Sequence, residues 1–129
     1  MSVGRVPIEV VVGRGAPARR TRIESMVRAR PQDRHWAVLY SSAAYLDVVG
    51  DPGLTVRSSG AGCACCIGQV AFRVALTRLL RDLKPDRVLI ELPADEHLQR
   101  TLALLRDEWF VAVIAVEAII DADLAPTPI

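Results

Sequence analysis

The sequence predicts a three-layer α/β domain in which helices cover both faces of a mainly parallel sheet. Short runs rich in β-branched residues alternate along the chain with segments of helical periodicity, a pattern typical of parallel strands joined by helices. The first run ends at Gly13, and the clearest helical segment begins near Ile67 and is ended by Pro85. A chain of 129 residues without internal repeats is large enough for one core, so we expect a single domain over residues 1–129.

Five short apolar segments predict the strands. Right-handed connections would bring the loops that follow these strands to one edge of the sheet, so Gly13, Ser41 and Glu91 are expected there. Trp36 and Trp109 are expected in the core, each at the start of a strand. The strands are predicted over residues 6–12, 36–40, 54–57, 87–91 and 110–116.

Three segments predict helices: residues 18–29, the segment from Ile67 to Pro85, and residues 95–107. Asp95 is in position to cap the third helix. The middle helix carries an apolar stripe that should face the sheet, formed by Ile67, Val70, Ala71, Val74, Leu79, Leu80 and Leu83.

Composition and charge exclude several classes of protein. The formal net charge is +1, which gives no general attraction to nucleic acid. No apolar run approaches the roughly twenty residues that cross a bilayer, and the N-terminus is not organised like a signal peptide, so no membrane partner is expected. The odd number of cysteines excludes complete internal disulfide pairing, and the reduced state that this favours points to the cytoplasm.

The three cysteines of the chain, Cys63, Cys65 and Cys66, lie within four consecutive positions after a glycine-rich approach. Thiolates are the form that binds soft metal ions, and the start of the following helix favours the thiolate. Zinc takes sulfur ligands in tetrahedral geometry, so three thiolates leave one position open, for which Glu91 and His97 are candidates by topology. Copper(I), cobalt and nickel also suit such ligands, and reversible thiol oxidation is the alternative function of the cluster.

The turn after the first strand lies where phosphate-binding loops occur. Gly13 matches the first glycine of the pattern GxxxxGK[ST], whose lysine reaches the outer phosphates and whose hydroxyl holds magnesium. Arg19 and Arg20 stand at the lysine and hydroxyl positions, and Thr21 could replace the hydroxyl only if the loop were remodelled. Hydrolysis of a nucleotide in the usual manner is therefore not expected.

These features resemble the CobW-type GTP-binding metallochaperones over nearly all of the chain. The segment from Gly62 to Cys66 is similar to the family's Gly-Cys-X-Cys-Cys metal motif, and the strand ending in Glu91 is similar to the one that carries its Walker B-like acid. The resemblance implies a P-loop-NTPase-like fold, GTP and Mg²⁺ as ligands, and delivery of metals under control of the nucleotide. It also implies a nucleotide-binding region made of Gly13, Arg19, Arg20, Thr21 and Glu91.

The departures from this family all fall on the nucleotide machinery. Besides the two arginines, Ser41 and Ser42 replace the family's Asn-Glu, and Ala94 replaces the glycine that follows the acid. The guanine-reading Asn-Lys-X-Asp motif and the family's C-terminal domain are not found in residues 1–129. The chain would therefore be a shortened member with a degenerate P-loop.

The sequence thus predicts a zinc-binding protein for metal allocation or homeostasis, with Cys63, Cys65 and Cys66 as ligands and without GTP turnover. The expected partners are the metal ion and a client protein, and the sequence leaves the oligomeric state open. Two alternatives remain: a metallochaperone GTPase with a remodelled P-loop, and a thiol redox protein that uses the cysteine cluster.

Overall fold

The computed structural model describes residues 5–31, 34–40, 53–58 and 66–123, with the backbone alone for 66–69. Within these ranges the chain forms five strands and four helices. The strands are β1 (Val6–Gly13), β2 (Trp36–Tyr40), β3 (Leu54–Ser58), β4 (Arg87–Pro93) and β5 (Ile114–Asp121). The helices are α1 (Ala16–Arg28), α2 (Cys66–Leu83), α3 (Leu98–Leu104) and α4 (Glu108–Val113).

The described strands form one sheet in the order β3-β2-β4-β1-β5, and every pair in it is parallel. The predicted α/β class with a parallel sheet is confirmed, and the layout is that of a three-layer P-loop-like domain. The central strand β4 pairs with β1 and β2, which aligns Glu91 with Val11 on one side and Tyr40 on the other. Glu91 therefore lies on the central strand, close to the C-terminal ends of the strands.

The two faces of the sheet are covered by different helices, because alternate residues of a strand point to opposite sides. On one face, Val11, Val38 and Leu89 pack with Ile23 and Val27 of α1. The core on the other face is larger and includes α2, α3 and α4. Its buried strand residues include Ile8, Val10, Val12, Ala37, Leu39, Val88 and Ile90, and its buried helix residues include Phe72, Leu76, Leu79, Leu102 and Phe110.

The sequence-based assignment of the buried face of α2 is wrong for two valines. Val70 and Val74 are 62% and 42% exposed, whereas Phe72 and Leu76 are buried. The larger side chains at positions 72 and 76 remove more apolar area from water than two valines would, which rotates the helix toward them. Lys84, in the left-handed region at a φ of 45°, closes the helix.

The prediction for residues 95–116 is also wrong in its boundaries. A single helix over 95–107 was expected, but α3 begins at Leu98 after a turn in which Asp95 accepts from the His97 N–H at 2.9 Å. Phe110, expected to begin a strand, is buried within the short helix α4, and β5 starts later, at Ile114. Trp109, expected in the core, is 45% exposed with its ring 5.0 Å from that of Phe110.

One extra residue interrupts the pairing of β1 with β5. Ile8 pairs with Val116 and Glu9 with Ala118, so Glu117 has no opposite residue and forms a β-bulge. The guanidinium of Arg87 donates to the carboxylate of Glu117 at 2.9 Å and to that of Glu9 at 2.6 Å. The bulge thus turns an acid from β5 toward a cation on β4.

His35 lies at the opposite end of the sheet, immediately before β2. Its N–H donates to Asp86 at 2.8 Å, and its Nε2 is 2.9 Å from the hydroxyl of Thr55. These contacts join the starts of β2, β3 and β4.

No helix in the described part of the chain has the length and apolar character needed to cross a bilayer.

Candidate functional site

A buried ion pair lies where β4 ends and α1 begins. Nε of Arg19, in the first turns of α1, donates to Oε2 of Glu91 in β4, and the two residues are only 4% and 3% exposed. Val11 and Glu91 are register partners, and Val11 packs on the α1 face of the sheet, so the glutamate side chain is directed toward α1. Each charge is thereby balanced by the other in a region from which water is excluded.

The same guanidinium also holds the end of β1. Nη1 of Arg19 donates to the carbonyl oxygen of Gly13 at 2.5 Å, and the N–H of Ala94 donates to that oxygen at 2.9 Å. The space beside Gly13 is filled, because a Cβ built there would lie 3.2 Å from Cγ of Arg19 and 3.3 Å from Cβ of Ala122. A Cβ here would be crowded, so glycine is favoured by packing rather than by its backbone angles.

The loop that follows Gly13 binds a carboxylate of the protein itself. The N–H of Arg14 donates to both oxygens of Asp123, at 3.1 Å for Oδ2 and 3.3 Å for Oδ1. Sequence reasoning missed Asp123, although its place just after β5 puts it at the same edge of the sheet as Gly13 and Glu91. An acid immediately after a strand of a parallel sheet was the available signal.

The five residues predicted to bind nucleotide are not brought together as one set. Gly13, Arg19 and Glu91 are joined by the contacts described above. Thr21 is exposed and lies about 200° around the α1 axis from Arg19, so it is directed away from Glu91. Arg20 is half-buried on the intervening side of the helix.

The metal-ligand prediction concerns residues at the limit of the described chain. Cys63 and Cys65, like Ser41 and Ser42, lie outside the described residues, and Cys66 is the first residue of the 18-residue helix α2. The sequence expected the helix to start one residue later, so Cys66 lies at its first turn. Phe72, Leu76 and Leu79 pack this helix against the sheet and fix the position of its first turn.

The two candidates for a fourth ligand differ in their surroundings. Glu91 is paired with Arg19, whereas His97 lies just before α3 with its Nε2 3.4 Å from Glu96. Among the residues with described side chains, no three His, Cys, Asp or Glu residues converge as a metal site would require.

The fold and the contacts around Gly13 define an α/β domain of P-loop-like layout. Side chains of the same protein contact the loop that follows its first strand. Comparison with characterised proteins gives a relative: the chain is 33% identical over 89 residues to the zinc chaperone YeiR of Escherichia coli (strain K12). The match covers 66% of this chain and 27% of the relative, so the chain spans about a quarter of that protein's length. No family model and no solved structure matches the chain.

Proposed function

We propose that this chain is a zinc-binding protein of the CobW metallochaperone type that acts in metal allocation without GTP turnover. The observation that carries the proposal is the similarity to a zinc chaperone over two thirds of the chain. The cysteine cluster supplies the chemistry that such a role needs, since Cys63, Cys65 and Cys66 are soft donors of the kind that zinc prefers.

Zinc is the cargo in this proposal, so the site must release it as well as bind it. Three thiolates leave one tetrahedral position for a group from a client protein, through which the ion can be exchanged. The first turn of α2 contributes unsatisfied backbone N–H groups that favour the thiolate form of nearby cysteines. From Phe72 onward, α2 is packed on the sheet.

The contacts of Arg19 support the absence of nucleotide turnover. A P-loop cation must face the phosphates, but this guanidinium is buried and already donates to Glu91 and Gly13. The acid that would belong to the magnesium site is engaged in the same pair. Arg14, whose backbone N–H would face an anion, donates instead to Asp123.

The test is the zinc content of the protein purified under reducing conditions, beside a variant with all three cysteines changed to serine. We expect stoichiometric zinc in the unaltered protein and none in the variant. His35→Asn, at the opposite edge of the sheet, is the control and should keep its zinc, whereas loss of affinity in His97→Asn would identify the fourth ligand. A protein that contains no zinc and takes none up under these conditions overturns the proposal.

Titration with a fluorescent GTP analogue and Mg²⁺ distinguishes two hypotheses for the loop between β1 and α1: that it binds no nucleotide, and that it is remodelled to bind GTP. We expect no binding in the micromolar range. Binding there would favour the alternative, a metallochaperone GTPase with a remodelled loop. A reversible change in thiol count with oxidant, in protein that never binds metal, would favour the redox alternative.

A further inference from the structure

The carboxylate of Asp123 occupies a defined place on the loop between β1 and α1. Both of its oxygens accept from the N–H of Arg14, which is the first backbone donor of the loop after Gly13. In loops that bind phosphate between a strand and a helix, backbone N–H groups of the turn and of the helix N-terminus face the anion. Asp123 therefore gives this donor an anionic partner from the same chain.

The backbone around Asp123 holds its side chain in this place. Ala122 donates its N–H to the carbonyl oxygen of Val12 at 2.7 Å, which continues the pairing of β1 with β5 beyond the end of the strand. The N–H of Asp123 itself donates to Oδ1 of Asp121 at 2.9 Å. The carboxylate is thus aimed at the loop by two hydrogen bonds that are independent of its contact with Arg14.

Side chains also crowd the space beside Gly13 at the start of this loop. Oδ1 of Asp123 would lie 3.2 Å from a Cβ at Gly13, and Cγ of Arg19 lies at the same distance from that point. The Arg19 guanidinium donates to Glu91 and to the Gly13 carbonyl, whereas the Asp123 carboxylate accepts from the Arg14 N–H. Side chains from α1 and from the end of β5 therefore enclose the end of β1.

We propose that Asp123 is an internal anionic latch, which takes the place of a ligand phosphate on the β1–α1 loop and keeps the loop closed without a ligand. The inference deepens the proposed function and rests on its assignment of no nucleotide turnover. It is independent of metal binding by the cysteines.

Removal of the latch should make the loop responsive to inorganic phosphate. In Asp123→Ala the melting temperature should fall by on the order of 4 °C, because a charge-assisted contact is lost. Added phosphate should then restore part of the loss and shift the Arg14 amide resonance in NMR spectra, relative to chloride at equal ionic strength. The unaltered protein and the control Asp82→Ala, which removes a surface acid paired with Arg81, should show no shift of the Arg14 resonance and only the smaller stabilisation that phosphate gives to folded proteins in general.

The inference is overturned if Asp123→Ala keeps the full melting temperature, or if phosphate leaves its Arg14 resonance unmoved. Should this variant not fold, Asp123→Asn keeps an acceptor for Arg14 without the charge. A rise in its melting temperature with phosphate that exceeds the rise of the unaltered protein supports the latch, and an equal rise overturns it.

Two further outcomes separate this inference from the proposed function. If GTP with Mg²⁺ shifts the Arg14 resonance of the unaltered protein, both the latch and the absence of nucleotide binding are wrong. If the unaltered protein binds no nucleotide and Asp123→Ala ignores phosphate, the latch alone is wrong.

Discussion

Arg73 of α2 donates to Oδ2 of Asp107 at 2.6 Å, while Oδ1 of the same carboxylate accepts from the Trp109 N–H at 3.1 Å and caps α4. The Arg73 guanidinium also lies 5.5 Å from the centre of the Phe110 ring. One acid thus ties the start of α4 to the middle of α2. This pair holds the start of α4, which lies between α3 and β5 in the chain, against α2.

The Asp107 contacts predict a specific dependence of stability on pH. The hydrogen bond from Arg73, followed by that from the Trp109 N–H, holds the pKa of Asp107 below its ordinary value. A carboxyl whose pKa is lower in the folded state stabilises the fold at pH values above its unfolded pKa, and this stabilisation is lost as the pH falls through the folded pKa. Urea unfolding should therefore show Asp107→Asn less stable than the unaltered protein at neutral pH, with the difference shrinking below about pH 4. Asp82→Asn, at an exposed pair, is the control and should differ little at any pH; a constant deficit in Asp107→Asn would contradict the prediction.

The buried pair of Arg19 and Glu91 predicts a strong non-additivity. Glu91→Gln leaves a buried guanidinium without its counter-charge and should lower the free energy of unfolding by about 3–5 kcal/mol. Combining Arg19→Met with Glu91→Leu removes both charges and should recover most of that loss. Denaturant unfolding of the single and double variants measures the coupling. Additive losses would show that the pair is not a unit.

Packing at Gly13 predicts different results for two neighbouring glycines. Gly13→Ala should cost about 1–3 kcal/mol, because its Cβ would lie 3.2 Å from both Arg19 Cγ and Asp123 Oδ1. Gly15→Ala is the matched control, since the Cβ there meets only Cδ of Pro17, at 3.8 Å. Thermal unfolding of the two variants checks this, and equal losses would mean that the end of β1 is less crowded than described.

The orientation of α2 predicts which of its side chains carry stability. Leu76→Ala should cost about 2–5 kcal/mol, because Leu76 is fully buried against the sheet. Val74→Lys should change the free energy of unfolding by no more than about 0.5 kcal/mol, because Val74 is exposed. Urea denaturation measures both losses. If Val74→Lys proved more destabilising than Leu76→Ala, the buried face of α2 would be the one inferred from sequence.

The first four strands and the first two helices could be predicted from sequence because their signals are local. The run of β-branched residues in β1 and the proline after α2 act within a few positions. Residues 110–113 were wrongly assigned to the last strand because a short apolar run fits a strand and a buried helix equally well. The Asp107 cap and the contact of Arg73 with Phe110 favour the helix. The second of these joins distant parts of the chain, so no local sequence pattern contains it.

The candidate site was predictable in its members more than in its contacts. Gly13, Arg19 and Glu91 were each singled out by a motif, but no motif indicates that Arg19 pairs with Glu91. That pairing depends on the register of β1 with β4 and on the way α1 packs. Asp123 was missed because the last strand was predicted to end at residue 116, whereas β5 runs to Asp121 and places this acid just after it.

The bulge at Glu117 bears on how copies of the molecule behave when concentrated. Among the described strands, β5 borders the sheet, and the outer backbone of a border strand is a template for association with other chains. The extra residue bends that template halfway along. A straight incoming strand would find no continuous row of backbone N–H and C=O groups along β5. Growth into fibrils from this strand is therefore disfavoured.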